Sequence, residues 1–152
     1  MKVKDIMVRE VDSLLEDVSV REAMDILFKR QISGLPVINN DGKLIGMFTE
    51  KEVLAYLLPS YVQQVGRFIY EENPKATKNK LLALGKIKVS ELMRKEVVTT
   101  GEEVTLCETA RIILTQKARR LPVVDKTGKI VGMVARCDVL RAMIKDAEDT
   151  LN

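Results

Sequence analysis

The chain has no histidine among its 152 residues. Histidine is the commonest side chain used as a general base near neutral pH, and it is a frequent zinc ligand. Its absence excludes serine–histidine and cysteine–histidine nucleophile pairs. An enzyme that uses carboxylates for catalysis is not excluded. The sequence shows, however, no paired acids, no nucleophile beside a base and no metal-ligand cluster. We therefore expect a protein that is not an enzyme and that holds no catalytic cofactor and no metal.

Cysteine and long apolar runs are also scarce. Cys107 and Cys137 are the two cysteines, and they form no CxxC motif, which predicts free thiols rather than a bridge. No apolar run approaches the roughly 20 residues of a membrane span. The start MKVKD is not followed by the apolar core of a signal peptide. These features predict a cytoplasmic protein that does not act in a membrane.

The charge pattern lacks the basic stripe that is typical of nucleic-acid-binding domains. The net charge is +3, and lysine and arginine alternate with aspartate and glutamate. The exception is the run KATKNK from Lys75 to Lys80, followed by Lys86 and Lys88. We interpret this run as a solvated loop. A nucleic-acid interface there is an alternative, but no aromatic residues interleave with these lysines, so no nucleic acid is expected as a partner.

An internal repeat dominates the sequence. Placing LPVINNDGKLIGMFTEKEVL (35–54) over LPVVDKTGKIVGMVARCDVL (121–140) aligns Leu-Pro-Val, Gly-Lys, Gly-Met and Val-Leu at an offset of 86 residues. The same offset places KVKDIM over KVSELM without a gap. The pattern predicts two repeats at 1–58 and 87–146, an insert at 59–86 and a tail at 147–152.

Each repeat reads as a short helical turn followed by β-α-β-β-α. Apolar residues recur at helical spacing in SVREAMDILFKR, where Ser19 and Glu22 have the spacing of a capping box. The runs LPVI and KLIGMF are two strands joined by NNDG, a sequence typical of a tight hairpin. Thr49 and Glu52 form a second capping box before the last helix. A repeat of under sixty residues is marginal alone, so we expect the two to share a core.

The insert allows two interpretations. Val62, Val65 and Ile69 have the spacing of an amphipathic helix, which predicts that the insert is partly helical. Aromatic residues cluster in the insert and just before it: Tyr56, Tyr61, Phe68 and Tyr70. It is either an excursion that packs its aromatic side chains on the shared core, or a lid or partner-docking element.

The repeated motifs resemble those of the CBS domain family, named for cystathionine beta-synthase. The resemblance rests on the openings Val3–Met7 and Val89–Met93, the LPVI and LPVV strands, the turns, and the GM-x-x-x-x-(D/E)-V-L passages, all in order and twice. It covers almost the whole chain except the insert. The resemblance implies an α+β fold of two β-α-β-β-α CBS repeats packed about a pseudo-two-fold axis through their sheets, with clefts where they meet.

Tandem pairs of this family commonly bind AMP, ADP, ATP or S-adenosylmethionine. The family motif Gly-apolar-x-Ser/Thr-x-x-Asp uses its acid on the ribose hydroxyls, and a carboxylate suits that role because charge-assisted hydrogen bonds are strong. Each copy here keeps half of the motif. GMFTEKE keeps Thr49 but has Glu52 in place of aspartate, and GMVARCD keeps Asp138 but has Ala135 in place of the hydroxyl. Glu52 and Asp138 are equally explained as acids that cap helices.

Because the acid contributes more than the hydroxyl, the resemblance favours the site in the second repeat. Arg119, Arg120 and Arg136 are its candidates for phosphate, although the first two equally suit a helix end. Gly34 is expected to permit a close approach to the ligand. The favoured site comprises Thr99, Arg119, Arg120, Leu121, Pro122, Arg136 and Asp138. The second, weaker site comprises Ser13, Ser33, Gly34, Leu35, Pro36, Thr49 and Glu52.

We therefore expect a non-catalytic regulatory or energy-sensing module that binds an adenine nucleotide in the cleft between its repeats. The resemblance also implies a homodimer formed through edge helices. Since the family regulates attached enzymes or channels and the sequence contains neither, the output is expected to go to a separate protein partner. The alternative is a ligand-free scaffold for dimerisation or partner binding.

Overall fold

The computed structural model describes residues 1–58 and 74–151. The predicted helix of Val62, Val65 and Ile69 lies outside the described residues, as do Tyr61, Phe68 and Tyr70. The elements of the first repeat are a 3₁₀ turn at Val3–Asp5, then β1 (Leu14–Leu15), α1 (Val20–Arg30), β2 (Gly34–Ile38), β3 (Leu44–Thr49) and α2 (Glu50–Leu57).

Two further helical segments precede the second repeat: α3 (Pro74–Leu82) and a 3₁₀ turn at Ala83–Lys86. The elements of the second repeat are α4 (Val89–Leu92), β4 (Thr100–Gly101), α5 (Leu106–Gln116), β5 (Arg120–Val124), β6 (Ile130–Ala135) and α6 (Arg136–Leu151). The predicted order of a short helix and β-α-β-β-α is confirmed in both repeats. The interpretation of Lys75–Lys80 as a loop was wrong, because these residues lie in α3.

Each repeat contributes a three-stranded sheet, in the order β1-β2-β3 and β4-β5-β6. The first two strands of each sheet are parallel, with Leu14 opposite Val37 and Thr100 opposite Val123. These two registers differ by the same 86 residues as the sequence repeat. A parallel pair needs a crossover connection, which α1 and α5 supply.

Local sequence fixes where the crossover helices begin and the hairpins turn. The hydroxyls of Ser19 and Thr105 accept the backbone N–H of the residue three positions later, at 3.1 and 3.2 Å. The hairpin glycines Gly42 and Gly128 have φ angles of 80° and 88°, a conformation that glycine adopts without steric cost. The predicted helix N-caps and hairpin turns are therefore confirmed.

The chain folds into two compact units that cross the boundaries of the repeats. The first-repeat unit contains Ser13–Asn40 and Ile45–Glu96, and the second-repeat unit contains Met1–Asp12, Asp41–Leu44 and Val97–Asn152. The repeats of the sequence and the compact units of the fold are thus different divisions of the chain.

The repeats and the compact units differ because the short segment that opens each repeat packs in the unit of the other repeat. In the second-repeat unit, Val8 pairs with Met133 in an antiparallel bridge, and a Cβ on Gly132 would lie 2.7 Å from Sδ of Met7. The first turn of the chain therefore packs on the last sheet, and Gly132 has no room for a side chain.

The first-repeat unit shows the same arrangement with the other leading segment. Met47 pairs with Arg94, and a Cβ on Gly46 would lie 2.5 Å from Sδ of Met93. The glycine of each family motif is thus explained by the close approach of a backbone strand and a methionine.

Each unit has its own buried core. The core of the first-repeat unit includes the predicted apolar face of α1 and consists of Leu14, Val20, Ala23, Met24, Leu27, Leu35, Val37, Phe48, Val53, Leu84 and Val89. The core of the second-repeat unit consists of Val3, Met7, Leu106, Ile113, Leu121, Val123, Val134, Val139 and Ala142. Cys107 and Cys137 are exposed free thiols on α5 and α6, as predicted.

Candidate functional site

The acid of the second motif lies where β6 passes into α6. Asp138 is in the first turn of α6, and its Oδ2 accepts the backbone N–H of Ala135 at 2.9 Å. Its other oxygen, Oδ1, lies 3.8 Å from Nη1 of the largely exposed Arg141 and 3.9 Å from Sγ of Cys137. The side chain of Asp138 is 21% exposed. One oxygen thus holds the helix end, while the contacts of the other within residues 1–58 and 74–151 are long, so that it can accept a donor from a ligand.

The arginines of the favoured site lie at the same end of the sheet. Arg120 begins β5 and pairs directly with Ala135 of β6. The backbone N–H of Arg136 donates to the carbonyl of Arg119 at 3.1 Å. All three arginines are exposed. The alternative that Arg119 and Arg120 occupy a helix end was wrong, because α5 ends at Gln116.

The remaining favoured residues lie beside these arginines. Leu121 and Pro122 follow Arg120 in β5 and are buried. Thr99 directly precedes β4, whose Thr100 pairs with Val123, so the register places half-buried Thr99 next to Pro122. The fold therefore brings all seven favoured residues into the second-repeat unit.

The acid of the first motif caps its helix with help from a threonine hydroxyl. Thr49 is the N-cap of α2, and both its backbone N–H, at 3.0 Å, and its hydroxyl donate to Oε2 of Glu52. The predicted capping box is confirmed. A hydroxyl donor that Ala135 cannot supply therefore engages Oε2 of Glu52, so this capping oxygen accepts one donor more than the capping Oδ2 of Asp138.

Gly34 has a structural role that the sequence did not reveal. A Cβ at this position would lie 2.6 Å from Cγ2 of Thr49 and 2.8 Å from the carbonyl oxygen of Phe48. The close approach observed at Gly34 is thus to the neighbouring strand. The equivalent pair in the second-repeat unit is Arg120 opposite Ala135.

The other residues of the weaker site also lie in the first-repeat unit. Exposed Ser33 precedes β2, and its carbonyl accepts the backbone N–H of Glu50 at 2.9 Å. Leu35 and Pro36 are buried in β2, and Ser13 is half-buried directly before β1. The two candidate sites therefore share one backbone arrangement but differ in charge, since Glu50 occupies the place of Arg136.

A model of the CBS domain matches residues 3–59 and 89–145. The chain belongs to the CBS domain family. An uncharacterized protein of Methanocaldococcus jannaschii, MJ1426, is 31% identical over 95% of this chain and 92% of its own length. Some other relatives are longer: the chain spans 56% of the CBS domain-containing protein CBSX1 of Arabidopsis thaliana and 21% of the inosine-5'-monophosphate dehydrogenase of Aquifex aeolicus, with 35% identity to each.

Solved CBS structures share this fold. The crystal structure of CBSX2 from Arabidopsis thaliana in complex with AMP matches with a TM-score of 0.71 and 28% identity, over 96% of this chain and 98% of that one. The CBS domain pair of protein MJ0100, in complex with 5'-methylthioadenosine and S-adenosyl-L-methionine, matches with a TM-score of 0.65 and 25% identity, over the same shares of the two chains. The predicted class of CBS-pair fold is thereby confirmed.

One surface feature of the first CBS repeat was missed by the sequence reasoning. A groove of about 330 Å³ is lined by Leu27, Phe28, Gln31, Ile32, Ser33 and Glu50. Phe28 is 65% exposed, and it lies outside the apolar face that Val20, Ala23, Met24 and Leu27 form. A large apolar residue at the edge of the apolar face of an amphipathic helix was the signal available in the sequence.

Within residues 1–58 and 74–151 the acidic residues and cysteines form no group of three that could hold a metal ion. The helices of the same ranges include none with the length and apolar character needed to cross a membrane.

Proposed function

We propose that this CBS pair is a non-catalytic regulatory module that binds an adenosine-containing ligand, with AMP, ADP or ATP favoured. The observation that carries the proposal is the geometry of Asp138, whose Oδ2 accepts the N–H of Ala135 while Oδ1 lies 3.8 Å from Nη1 of Arg141. A partly exposed carboxylate held in this way is an acceptor for the two ribose hydroxyls, and hydrogen bonds to a charged acceptor are strong.

The surrounding charges support a nucleotide rather than a neutral nucleoside. Arg119, Arg120 and Arg136 are exposed at the same end of the sheet as Asp138. Guanidinium groups present several N–H donors in a plane that matches phosphate oxygens. The ligands of related structures support the adenosyl class, since AMP is bound by CBSX2 and S-adenosyl-L-methionine by the MJ0100 pair.

In this proposal the site of the first repeat is the weaker one. Its acid, Glu52, already accepts two donors from Thr49. Glu50 also puts a negative charge where the second repeat has Arg136, which disfavours phosphate. The proposed sites therefore fill unequally, with the Asp138 site first.

The module is further proposed to be a homodimer that passes its signal to a separate protein. The exposed apolar side chains on α2 and α6 support an interaction surface: Leu54, Leu140, Met143 and Ile144 are each at least 40% exposed. Apolar side chains that remain exposed together on adjacent turns mark contact sites.

A second candidate function is a scaffold without a ligand. The acids of both motifs are used as helix caps, as in a purely structural role. Differential scanning fluorimetry with AMP, ADP, ATP, S-adenosylmethionine and NAD separates the two functions. A ligand that binds only the folded state stabilises it by about 2.7 kcal/mol at 100 times its Kd. A concentration-dependent rise in Tm with a nucleotide supports the sensor, and a flat response to all five compounds supports the scaffold.

A further inference from the structure

The carboxylate of Asp138 has a basic neighbour one turn further along α6. Its Oδ1 lies 3.8 Å from Nη1 of Arg141, three residues later in the same helix, while its Oδ2 accepts the backbone N–H of Ala135 at 2.9 Å. A direct hydrogen bond from a guanidinium N–H needs about 2.7–3.2 Å. The opposite charges of Asp138 and Arg141 attract each other, but the hydrogen bond between them is not made.

The other long helix of the same unit contains a pair that does close. Glu108 and Arg111 are also three residues apart, in α5, and Nε of Arg111 donates to Oε2 of Glu108 at 2.9 Å while Nη2 donates to Oε1. Both oxygens of Glu108 are engaged in this way. The side chain of Asp138 is one methylene shorter, and one of its oxygens caps its helix. The same spacing along a helix therefore leaves a gap between Asp138 and Arg141.

The size of this gap suits one hydroxyl group. A hydroxyl oxygen lies about 2.5–3.0 Å from a carboxylate oxygen that accepts its proton, and about 2.7–3.2 Å from a nitrogen that donates to it. The 3.8 Å between Oδ1 and Nη1 is less than the sum of these two distances, so an oxygen to one side of the line between them reaches both atoms. A hydroxyl can donate and accept at the same time. A phosphate or carbonyl oxygen has no proton to give to Oδ1.

The first repeat has no counterpart of this pair. Ala55 stands 86 residues before Arg141, at the equivalent position, and its side chain has no donor. The acid of the first repeat, Glu52, accepts a hydroxyl from the protein itself, that of Thr49. The combination of an acid with an arginine one turn later is therefore specific to the second repeat.

We propose that Arg141 is a ligand-binding residue that reads a ribose hydroxyl together with Asp138. The hydroxyl donates to Oδ1 of Asp138 and accepts an N–H from Nη1 of Arg141. The inference rests on the proposed function and adds to it both a residue and a selectivity. The pair distinguishes ribose from deoxyribose, because a sugar without that hydroxyl leaves a desolvated acceptor and a desolvated donor unpaired.

Titration calorimetry with adenosine, 2′-deoxyadenosine and 3′-deoxyadenosine tests this role on wild type and on Arg141→Met, which removes the guanidinium and keeps an apolar stem. We expect the variant to bind adenosine about three- to tenfold more weakly, since a hydrogen bond from an exposed charge is worth less than one from a buried charge. The deoxyadenosine that lacks the bridging hydroxyl should bind wild type and variant equally, because neither complex contains the contact. Such non-additivity shows that the residue and the hydroxyl are coupled.

Arg111→Met is the matched control, because it removes the guanidinium of the equally spaced pair on α5 and should leave all three affinities unchanged. Equal losses of affinity for the three nucleosides in Arg141→Met, or no loss for any of them, overturn the proposal. A loss for AMP without a loss for adenosine also overturns it and assigns Arg141 to phosphate. A wild type that binds neither adenosine nor AMP contradicts the proposed function itself, whereas a wild type that binds both and is insensitive to Arg141→Met contradicts only the role of Arg141.

Discussion

Asp138 accepts the backbone N–H of Ala135 at 2.9 Å and thereby caps the helix that follows it. Glu52 does the same for Thr49 in the first repeat, but it also accepts the threonine hydroxyl. The two acids are therefore matched as caps and differ in the hydroxyl that only Glu52 accepts. Substitution of the two acids therefore allows the loss of a helix cap to be distinguished from the loss of ligand binding.

Replacing each acid by alanine should separate capping from binding. Both Asp138→Ala and Glu52→Ala lose a cap and should lower the free energy of unfolding by about 1 kcal/mol. Asp138→Ala should weaken AMP binding more than Glu52→Ala does, by about tenfold or more at the favoured site, since hydrogen bonds to charged groups contribute about 1.5–3 kcal/mol. Isothermal titration calorimetry and urea unfolding measure the two effects. A larger loss of affinity from Glu52→Ala would reverse the assignment of the sites.

Arg120→Ala is predicted to weaken the binding of a nucleotide but not the binding of a nucleoside. Arg120 is exposed at the start of β5, opposite Ala135, and its proposed partner is phosphate. AMP affinity should fall by about tenfold, while adenosine affinity should stay nearly unchanged. Paired titrations of the variant measure both. Equal losses would mean that Arg120 shapes the pocket, and unchanged affinities would remove it from the site.

Gly34→Ala should destabilise the protein, although the substitution adds one methyl group. The new Cβ would lie 2.6 Å from Cγ2 of Thr49, and overpacking of this kind costs about 1–3 kcal/mol. Thr49→Ala should recover part of the loss, because the carbonyl oxygen of Phe48 remains 2.8 Å from the same Cβ. A double-mutant cycle by chemical unfolding measures the coupling.

The control for this cycle is Arg120→Ala at the equivalent position of the second repeat. An exposed surface substitution changes stability by about 0.5 kcal/mol or less, and Arg120 is exposed. Additive effects of Gly34→Ala and Thr49→Ala would show that the contact does not limit position 34.

A surface cluster should contribute to stability at low pH. The ammonium groups of Lys2 and Lys4 donate to the carboxylate of Glu103 and lower its pKa from 4.5 to about 2. A lowered pKa in the folded state stabilises the protein above the unfolded pKa, and this contribution is lost as the pH falls from 4.5 towards 2. Acid unfolding of wild type and Glu103→Gln should therefore differ at pH 5 and converge near pH 2. High salt should reduce the difference because the cluster is exposed; a constant difference would contradict this assignment.

Much of the fold followed from the sequence because repetition and local signals agreed. Ser19, Thr49 and Thr105 stand at helix starts, and Gly42 and Gly128 at hairpin turns. These features depend on a few neighbouring residues, so a pattern can identify them. The loop interpretation of Lys75–Lys80 failed because charge indicates exposure and not the absence of a helix.

What the sequence could not supply were contacts between residues distant along the chain. Met7 packs on Gly132 and Met93 on Gly46, so the leading turn of each repeat belongs to the other repeat's compact unit. The offset between the repeats would be the same whether each leading turn packed in the unit of its own repeat or in the unit of the other repeat. The role of Gly34 was hidden for a similar reason, because its steric partner, Thr49, is on the neighbouring strand.

The central claim is that Asp138 holds the ribose of an adenine nucleotide, and a crystal structure of the protein with AMP tests it most directly. We predict that both ribose hydroxyls lie within hydrogen-bonding distance, about 2.5–3.0 Å, of the Asp138 carboxylate. The phosphate should face at least one of Arg119, Arg120 and Arg136. AMP bound only beside Glu52, or with its ribose away from both acids, would contradict the account.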